Sequence, residues 1–345
     1  MVNKKLIWAL MAIWMAAVLG LAGCGGDGDD PSFSGNPGTP VQSFTRQNQT
    51  LGAGNNRTSY GVLVNHKGLW ALDKDHNLNQ NDTAVVVSYL GTGDLWSTPV
   101  PSDTPGALEI YKFENGVYNL ETRIDGNQSL WRPRGVHYNR YGLWVVDRNN
   151  IFHIMIRNDT NGNNFYIVNR HEMDQNARFN DITSKDDYLY LTEEETDTVW
   201  RFQYDEGAER LDGGQWLKNV DGMLNDCNGL VITDYTLLIG TRDGIRWVDV
   251  DDPLGVLHTF VEHSSAMVRG LVMDQYDNVY AAMRDGGVYK VNVYTPDERL
   301  TRTLELPAGE VPAGLSVKYN SSTQETILRV ATYTGDSTVA YKVGY

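Results

Sequence analysis

Beyond residue 40 the chain alternates between short apolar runs and turns rich in Gly, Asn and Asp, with no long stretch of helical period. Three kinds of run recur in a fixed order. The first follows a small residue: Gly61–Val64, Gly135–Tyr138, Asp181–Thr183, Gly229–Ile232, Gly270–Met273 and Gly314–Val317. The second is GLWALD (68–73), GLWVVD (142–147), YLYLTE (188–193), TLLIGT (236–241), NVYAAM (278–283) and ILRVAT (327–332). The third alternates: ALEIYKF (107–113), NIFHIMI (150–156), TVWRFQY (198–204), GIRWVDV (244–250), GVYKVNV (287–293) and TVAYKVG (338–344). Fourth strands fit at 118–124, 165–171, 215–220, 256–262 and 300–306.

Successive first runs start roughly 74, 46, 48, 41 and 44 residues apart. All but the first step match a four-stranded propeller blade. The predicted fold is all-β, a six-bladed β-propeller of four-stranded antiparallel blades spanning 41–345. The sixth unit ends before a fourth strand. Residues 41–47 (VQSFTRQ) are therefore predicted to close the ring as the missing outer strand, leaving no open edge. The long first step predicts an insertion at about 74–106, between the second and third strands of the first blade. It carries Tyr89, Trp96 and several prolines, and reads either as a lid or partner-docking loop or as a decorative hairpin.

The phrases Asp277–Tyr280 (DNVY) and Arg284–Tyr289 (RDGGVY) resemble the repeat run of six-bladed propellers of the NHL-repeat and regucalcin/gluconolactonase (SMP-30) type. The resemblance covers about residues 41–345. It implies the fold and leaves function to the site.

The N-terminus carries a different signal. Lys4 and Lys5 precede the uncharged apolar run Leu6–Leu21, which is followed by Leu21-Ala22-Gly23-Cys24. A basic segment, a short apolar core and small residues form a secretory signal, and the core falls short of the ~18 residues of a spanning helix. The Leu-Ala-Gly-Cys run resembles the lipobox of bacterial lipoproteins. That resemblance implies a signal peptide over 1–23 and a membrane partner through lipid on Cys24. Gly25 after the cysteine favours the outer membrane, facing periplasm or cell surface. Residues 24–40 are Gly, Pro, Ser and Asp with little to bury, as in a flexible tether.

Composition narrows the partners. With Lys+Arg 29 against Asp+Glu 44 the formal net charge is −15, which argues against nucleic acid bound through its phosphates. Two cysteines, Cys24 and Cys227, exclude a disulfide scaffold and a cysteine zinc cluster. Most Trp and Tyr fall at repeat positions and read as packing between blades; Trp96 and Trp131 break that pattern.

In a propeller the innermost strands line a central channel. The residues just before them ring one mouth: Tyr60, Arg134, Asn180 with Asp181, Asn228, Arg269 and Ala313. Two arginines in so acidic a chain have two readings. They hold a carboxylate, sugar acid or phosphate, with Asn180 and Asn228 as neutral hydrogen-bonders, or each pairs with a local acid such as Asp147, Asp181 or Asp285.

Gluconolactonase-like enzymes hold one divalent metal at this mouth, through a Glu of the first blade, an Asn before Gly and an Asp before Gly in the next blade. Here Cys227-Asn228-Gly229 matches the Asn start, and Asn180 falls at a further polar position. Arg269-Gly270 stands where the Asp belongs, and Ser59-Tyr60-Gly61 offers no Glu. Losing two carboxylates and gaining a cation opposes a dication. No catalytic residue and no metal ligand is assigned.

Other motifs fall short. Asp73, Asp75 and Asn77 open like a calcium loop, but Leu78 and Ala84 replace its turn Gly and closing Glu, so calcium is the one cofactor left open. His171-Glu172 lacks the second His of a zincin, and Cys227 reads as a buried thiol. The resulting expectation is a lipid-anchored envelope propeller that binds a protein partner or a small anionic ligand and is not an enzyme. The alternative is a lactonase-like or other hydrolase with a rearranged site at the channel mouth.

Overall fold

The computed structural model describes residues 39–51, 58–65, 84–90, 106–114, 117–125, 130–159, 162–252, 254–264, 266–320, 324–332 and 338–345. Among these residues every regular element is a strand, and the strands form six four-stranded antiparallel sheets.

The first blade comprises β2 (Thr58–Asn65), β3 (Ala84–Leu90), β4 (Ala107–Glu114) and β5 (Val117–Asp125); β1 (Ser43–Leu51) belongs elsewhere. The second is β6 (Pro133–Asn139), β7 (Gly142–Asp147), β8 (Asn150–Asp159) and β9 (Gly162–Glu172). The third is β10 (Phe179–Lys185), β11 (Tyr188–Glu193), β12 (Thr198–Asp205) and β13 (Arg210–Leu217). The fourth is β14 (Leu230–Ile232), β15 (Thr236–Thr241), β16 (Gly244–Asp249) and β17 (His258–Glu262). The fifth is β18 (Ala266–Met273), β19 (Val279–Asp285), β20 (Val288–Tyr294) and β21 (Leu300–Glu305). The sixth is β22 (Pro312–Asn320), β23 (Glu325–Thr332) and β24 (Thr338–Gly344), with β1 on its outer edge.

Innermost strands β2, β6, β10, β14, β18 and β22 each pack against the next, and β22 returns to β2, so the ring closes. Closure uses the expected N-terminal strand: Ser43 pairs with Gly344 and Leu51 with Thr338. This covers the edge that β24 would otherwise expose. The entering chain is fixed as well. Val41 is buried among Leu315, Leu328 and Tyr341, and Asn278 Nδ2 donates to the Thr39 carbonyl at 2.9 Å. Asn278 ends the turn between β18 and β19, on the face opposite the starts of the inner strands.

The core lies in the seams between blades, not inside any one sheet. Leu108, Ile110, Val145 and Phe152 fill the seam between the first two blades, and Trp144, Phe179, Leu189 and Phe202 the next. Equivalent clusters occupy the others, down to Val85, Val87, Tyr111 and Ala331 where the ring closes. A strand covered on both sides needs apolar residues on both, so the second strands are almost unbroken runs. GLWVVD is buried at every position.

That rule corrects the first blade. The expected second strand, GLWALD at 68–73, lies outside the described residues. The second strand is instead β3, whose Val86 pairs with Leu63 on one side and Ile110 on the other. Val85, Val86 and Val87 are all fully buried, as a central strand requires. The extra residues of this blade therefore flank β3 on both sides, and no single insertion spans 74–106. GLWALD imitates the GLWVVD of the second blade, but the strand paired with both β2 and β4 is the valine run. In the third blade the outer strand runs Arg210–Leu217, earlier than the expected 215–220.

Candidate functional site at the channel mouth

Five of the six inner strands break register at the same place. The breaks fall between Ser59 and Val62, Pro133 and Val136, Phe179 and Ile182, Val268 and Gly270, and Pro312 and Leu315. In the fourth blade regular pairing starts at Leu230, after Asn228 N–H donates to the Gly240 carbonyl at 2.9 Å. The ring positions read from the repeat are thus the bulge positions. A bulge bends the strand and re-aims its side chains, so five blades turn one residue at the mouth out of the ladder pattern.

The residue after each ring position sets how tightly the strands converge. A Cβ on Gly135 would lie 2.6 Å from the Asp181 Cα, one on Gly229 2.8 Å from the Gly270 Cα, and one on Gly270 2.4 Å from the Ala313 carbonyl oxygen. These separations are below any normal carbon contact, so the girdle is built backbone against backbone. Asp181 takes this position in the third blade, where Gly61, Gly135, Gly229, Gly270 and Gly314 stand in the others.

The girdle surrounds a central cavity of ≈ 490 Å³. Asn180, Asp181 and Arg269 form its wall at the mouth; Ile182, Leu230, Leu271 and Leu315 follow; His137, Ser184 and Lys318 stand at the far end. His137 Nε2 lies 2.8 Å from Ser184 Oγ, and burial pushes the imidazole down to about 4.

Arg134 is placed differently from Arg269. Its side chain is buried in the seam and donates to Asn180 Oδ1, with Glu194 Oε2 at 3.3 Å. Asn180 Nδ2 in turn donates to the Cys227 carbonyl at 3.3 Å, and Ser88 Oγ donates to the Arg134 carbonyl at 2.5 Å. A polar chain therefore crosses the first four blades. Of the acids expected beside the arginines, Asp147 feels the Arg134 charge, and all three hold further partners. Asp147 accepts from the backbone N–H of Trp131 and Arg132, Asp181 from that of Leu230, and Asp285 holds Lys290 at 2.7 Å. Glu194 is the acid at Arg134. It lies in the turn after β11, and the run Glu193–Glu195 was its only trace in the sequence.

Asn228 also faces inward to structure: its Nδ2 donates to the Asp226 carbonyl at 2.7 Å, and its own carbonyl accepts from Thr192 Oγ1. Tyr60 sits on the bulge of β2; its side chain lies outside the described residues. Ala313 is buried. Cys227 is buried with its thiol 3.3 Å from the Glu193 carbonyl, and burial pushes that thiol far up, away from a reactive thiolate.

Two carboxyls near the mouth are displaced upward. Burial drives Asp181 to about 7 against the lowering effect of the Leu230 and Ile182 N–H groups. Asp147 goes to about 6 by burial, opposed by the N–H groups of Arg132 and Trp131. Among the described residues no three His, Cys, Asp or Glu side chains group as metal ligands. The calcium-like stretch Asp73–Asn77, Cys24 and the signal segment all lie outside the described residues.

No family model matches this chain, and neither does any curated protein sequence. Solved structures do match. A gluconolactonase from Xanthomonas campestris superposes with a TM-score of 0.50 at 12% identity, covering 89% of this chain and 98% of that one. A luciferin-regenerating enzyme gives 0.53 at 11% identity, covering 88% and 95%. At this identity the likeness is one of fold: a six-bladed propeller.

Proposed function

We propose that this protein is a binding module at the cell envelope, held by lipid on Cys24, with the channel mouth as the site for a small anionic ligand. The observation that carries the reading is Arg269, a cation in the wall of the central cavity at the position where the metal-dependent pattern requires an aspartate. A guanidinium presents several donors in a fixed fork that matches a carboxylate or phosphate. Asn180 also lines this wall, its amide engaged by Arg134 and the Cys227 carbonyl.

A hydrolase built on a resident dication is disfavoured on the same ground, since a fixed cation at the ligand position repels the metal. Thr39 enters on the face opposite the mouth.

The test is titration calorimetry of the mature protein with gluconate, glucuronate, acetate and inorganic phosphate, alongside Arg269→Ala. Binding of at least one anion that weakens tenfold or more in the variant supports the proposal. Equal binding by both proteins, or stoichiometric calcium recovered with the purified protein, overturns it. Membrane fractionation of Cys24→Ser tests the anchor: the variant is expected in the soluble fraction.

A further inference from the structure

We propose that the mouth selects a small zwitterionic ligand, its ammonium held by Asp181 and its anionic group by Arg269; this rests on the reading of the mouth as an anion site.

The repeat itself isolates Asp181. Five blades place glycine at the girdle, so closing the ring requires no side chain there. The backbones meet as tightly beside Asp181 as elsewhere, with the Cβ position of Gly135 2.6 Å from the Asp181 Cα. The carboxylate packs over Gly135 and ties the third blade to the fourth through the Leu230 N–H. It lies in the cavity wall, and each oxygen accepts one backbone N–H: Oδ1 from Ile182 and Oδ2 from Leu230, both at 2.9 Å. A carboxylate has about four lone-pair sites, so these two bonds leave acceptor capacity on both oxygens.

Arg269 stands one blade beyond Leu230. The residue between them at the girdle is Gly229, which has no side chain, and its Cβ position would lie 2.9 Å from the Arg269 carbonyl oxygen. The acid and the base thus flank a bare position on one rim of the cavity. The other charged or titratable wall residues, His137 and Lys318, belong to the far end. Burial also raises the Asp181 carboxyl, the sign of a negative charge short of compensation, which a ligand ammonium supplies. A cavity of ≈ 490 Å³ accommodates a molecule of this size.

The experiment pairs amino acids with their des-amino partners: glycine with acetate, β-alanine with propionate, 4-aminobutyrate with butyrate and 5-aminopentanoate with pentanoate. Each is titrated by calorimetry into wild type, Asp181→Asn, Asp181→Gly and Arg269→Gln. The glycine variant installs the residue that the other blades carry, and circular dichroism checks its fold. One amino acid is expected to bind about tenfold tighter than its partner, the effect of one charge-assisted hydrogen bond. Asp181→Asn and Asp181→Gly are expected to abolish that preference without weakening the des-amino acid, whose anion loses a repelling neighbour, and Arg269→Gln to weaken both. Equal binding of partners by wild type, or a preference that survives both Asp181 variants, overturns the zwitterion proposal while the anion site stands. No binding by any member of either series overturns both.

Discussion

The two sides of the channel mouth share one strand geometry and use their polar residues differently. From the first blade to the fourth, Ser88, Arg134, Asn180 and the Cys227 carbonyl form a continuous polar chain across the seams. From the fourth blade to the sixth, glycine backbone packs against glycine backbone, and Arg269 stands in the wall of the cavity. Arg134 and Arg269 occupy equivalent bulges before equivalent glycines. Arg134 is buried in a seam, bonded to Asn180 and Glu194, and Arg269 lines the central cavity. Position in a repeat therefore fixes where a side chain starts; the neighbouring blade decides whether it ends in a seam or in the channel.

The sharpest way to break this comparison is to remove the two guanidinium groups separately. Arg134→Ala strands Asn180 Oδ1 and the Glu194 carboxylate, and is expected to cost about 3 kcal/mol in urea unfolding. Arg269→Ala is expected to stay within about 1 kcal/mol of wild type. Equal losses would erase the distinction between the two sides.

The glycine side is tested by adding a methyl group. Gly270→Ala drives a Cβ to 2.4 Å from the Ala313 carbonyl oxygen, which requires the fifth and sixth blades to part. A loss of about 2 kcal/mol is expected, read as a fall in melting temperature. A neutral result would mean that the inner strands have slack.

A smaller effect follows from protons. Asp181 and Asp147 have folded-state values of about 7 and about 6, above the usual carboxylate range. The folded protein thus holds these protons more tightly than the unfolded chain. Their contribution is fully present below the ordinary carboxylate pKa and is lost as pH rises through 6 and 7. The melting temperature is expected to fall between pH 6 and 8, and Asp181→Asn to flatten the upper part of that fall. An unchanged slope in the variant would show that Asp181 ionises normally. The smallest expected change is in Cys227→Ala: the thiol is buried and does not act as a nucleophile, so ligand binding should be unaffected.

Much of this was legible in the chain. The small residue before each inner strand marked the girdle, and the structure shows why: a Cβ at Gly229 or Gly270 would meet the next blade's backbone. The spare strand at 41–47 was legible because the last unit supplies only three strands and leaves its outer edge to be covered. The second strand of the first blade was misplaced because GLWALD and AVVVSYL both satisfy local pattern rules. Only burial against two neighbouring seams separates them, and Val85, Val86 and Val87 meet that demand. Glu194 was missed because a carboxylate in an acidic turn looks like any solvated charge until Arg134 of another blade is brought beside it.

The sequence by itself determined the class of fold, the number of blades, the manner of closure and the ring of residues at one mouth. These follow from period, alternation and steric demand, all of which are properties of one strand and its immediate neighbours in the chain. Only the tertiary structure decided which of those residues serve the seams and which border the channel. Arg134 and Arg269 have the same local sequence context, an arginine before a glycine that opens an inner strand. Arg134 finds its acceptors on the next blade, and residues that far apart in the chain meet only when neighbouring blades pack.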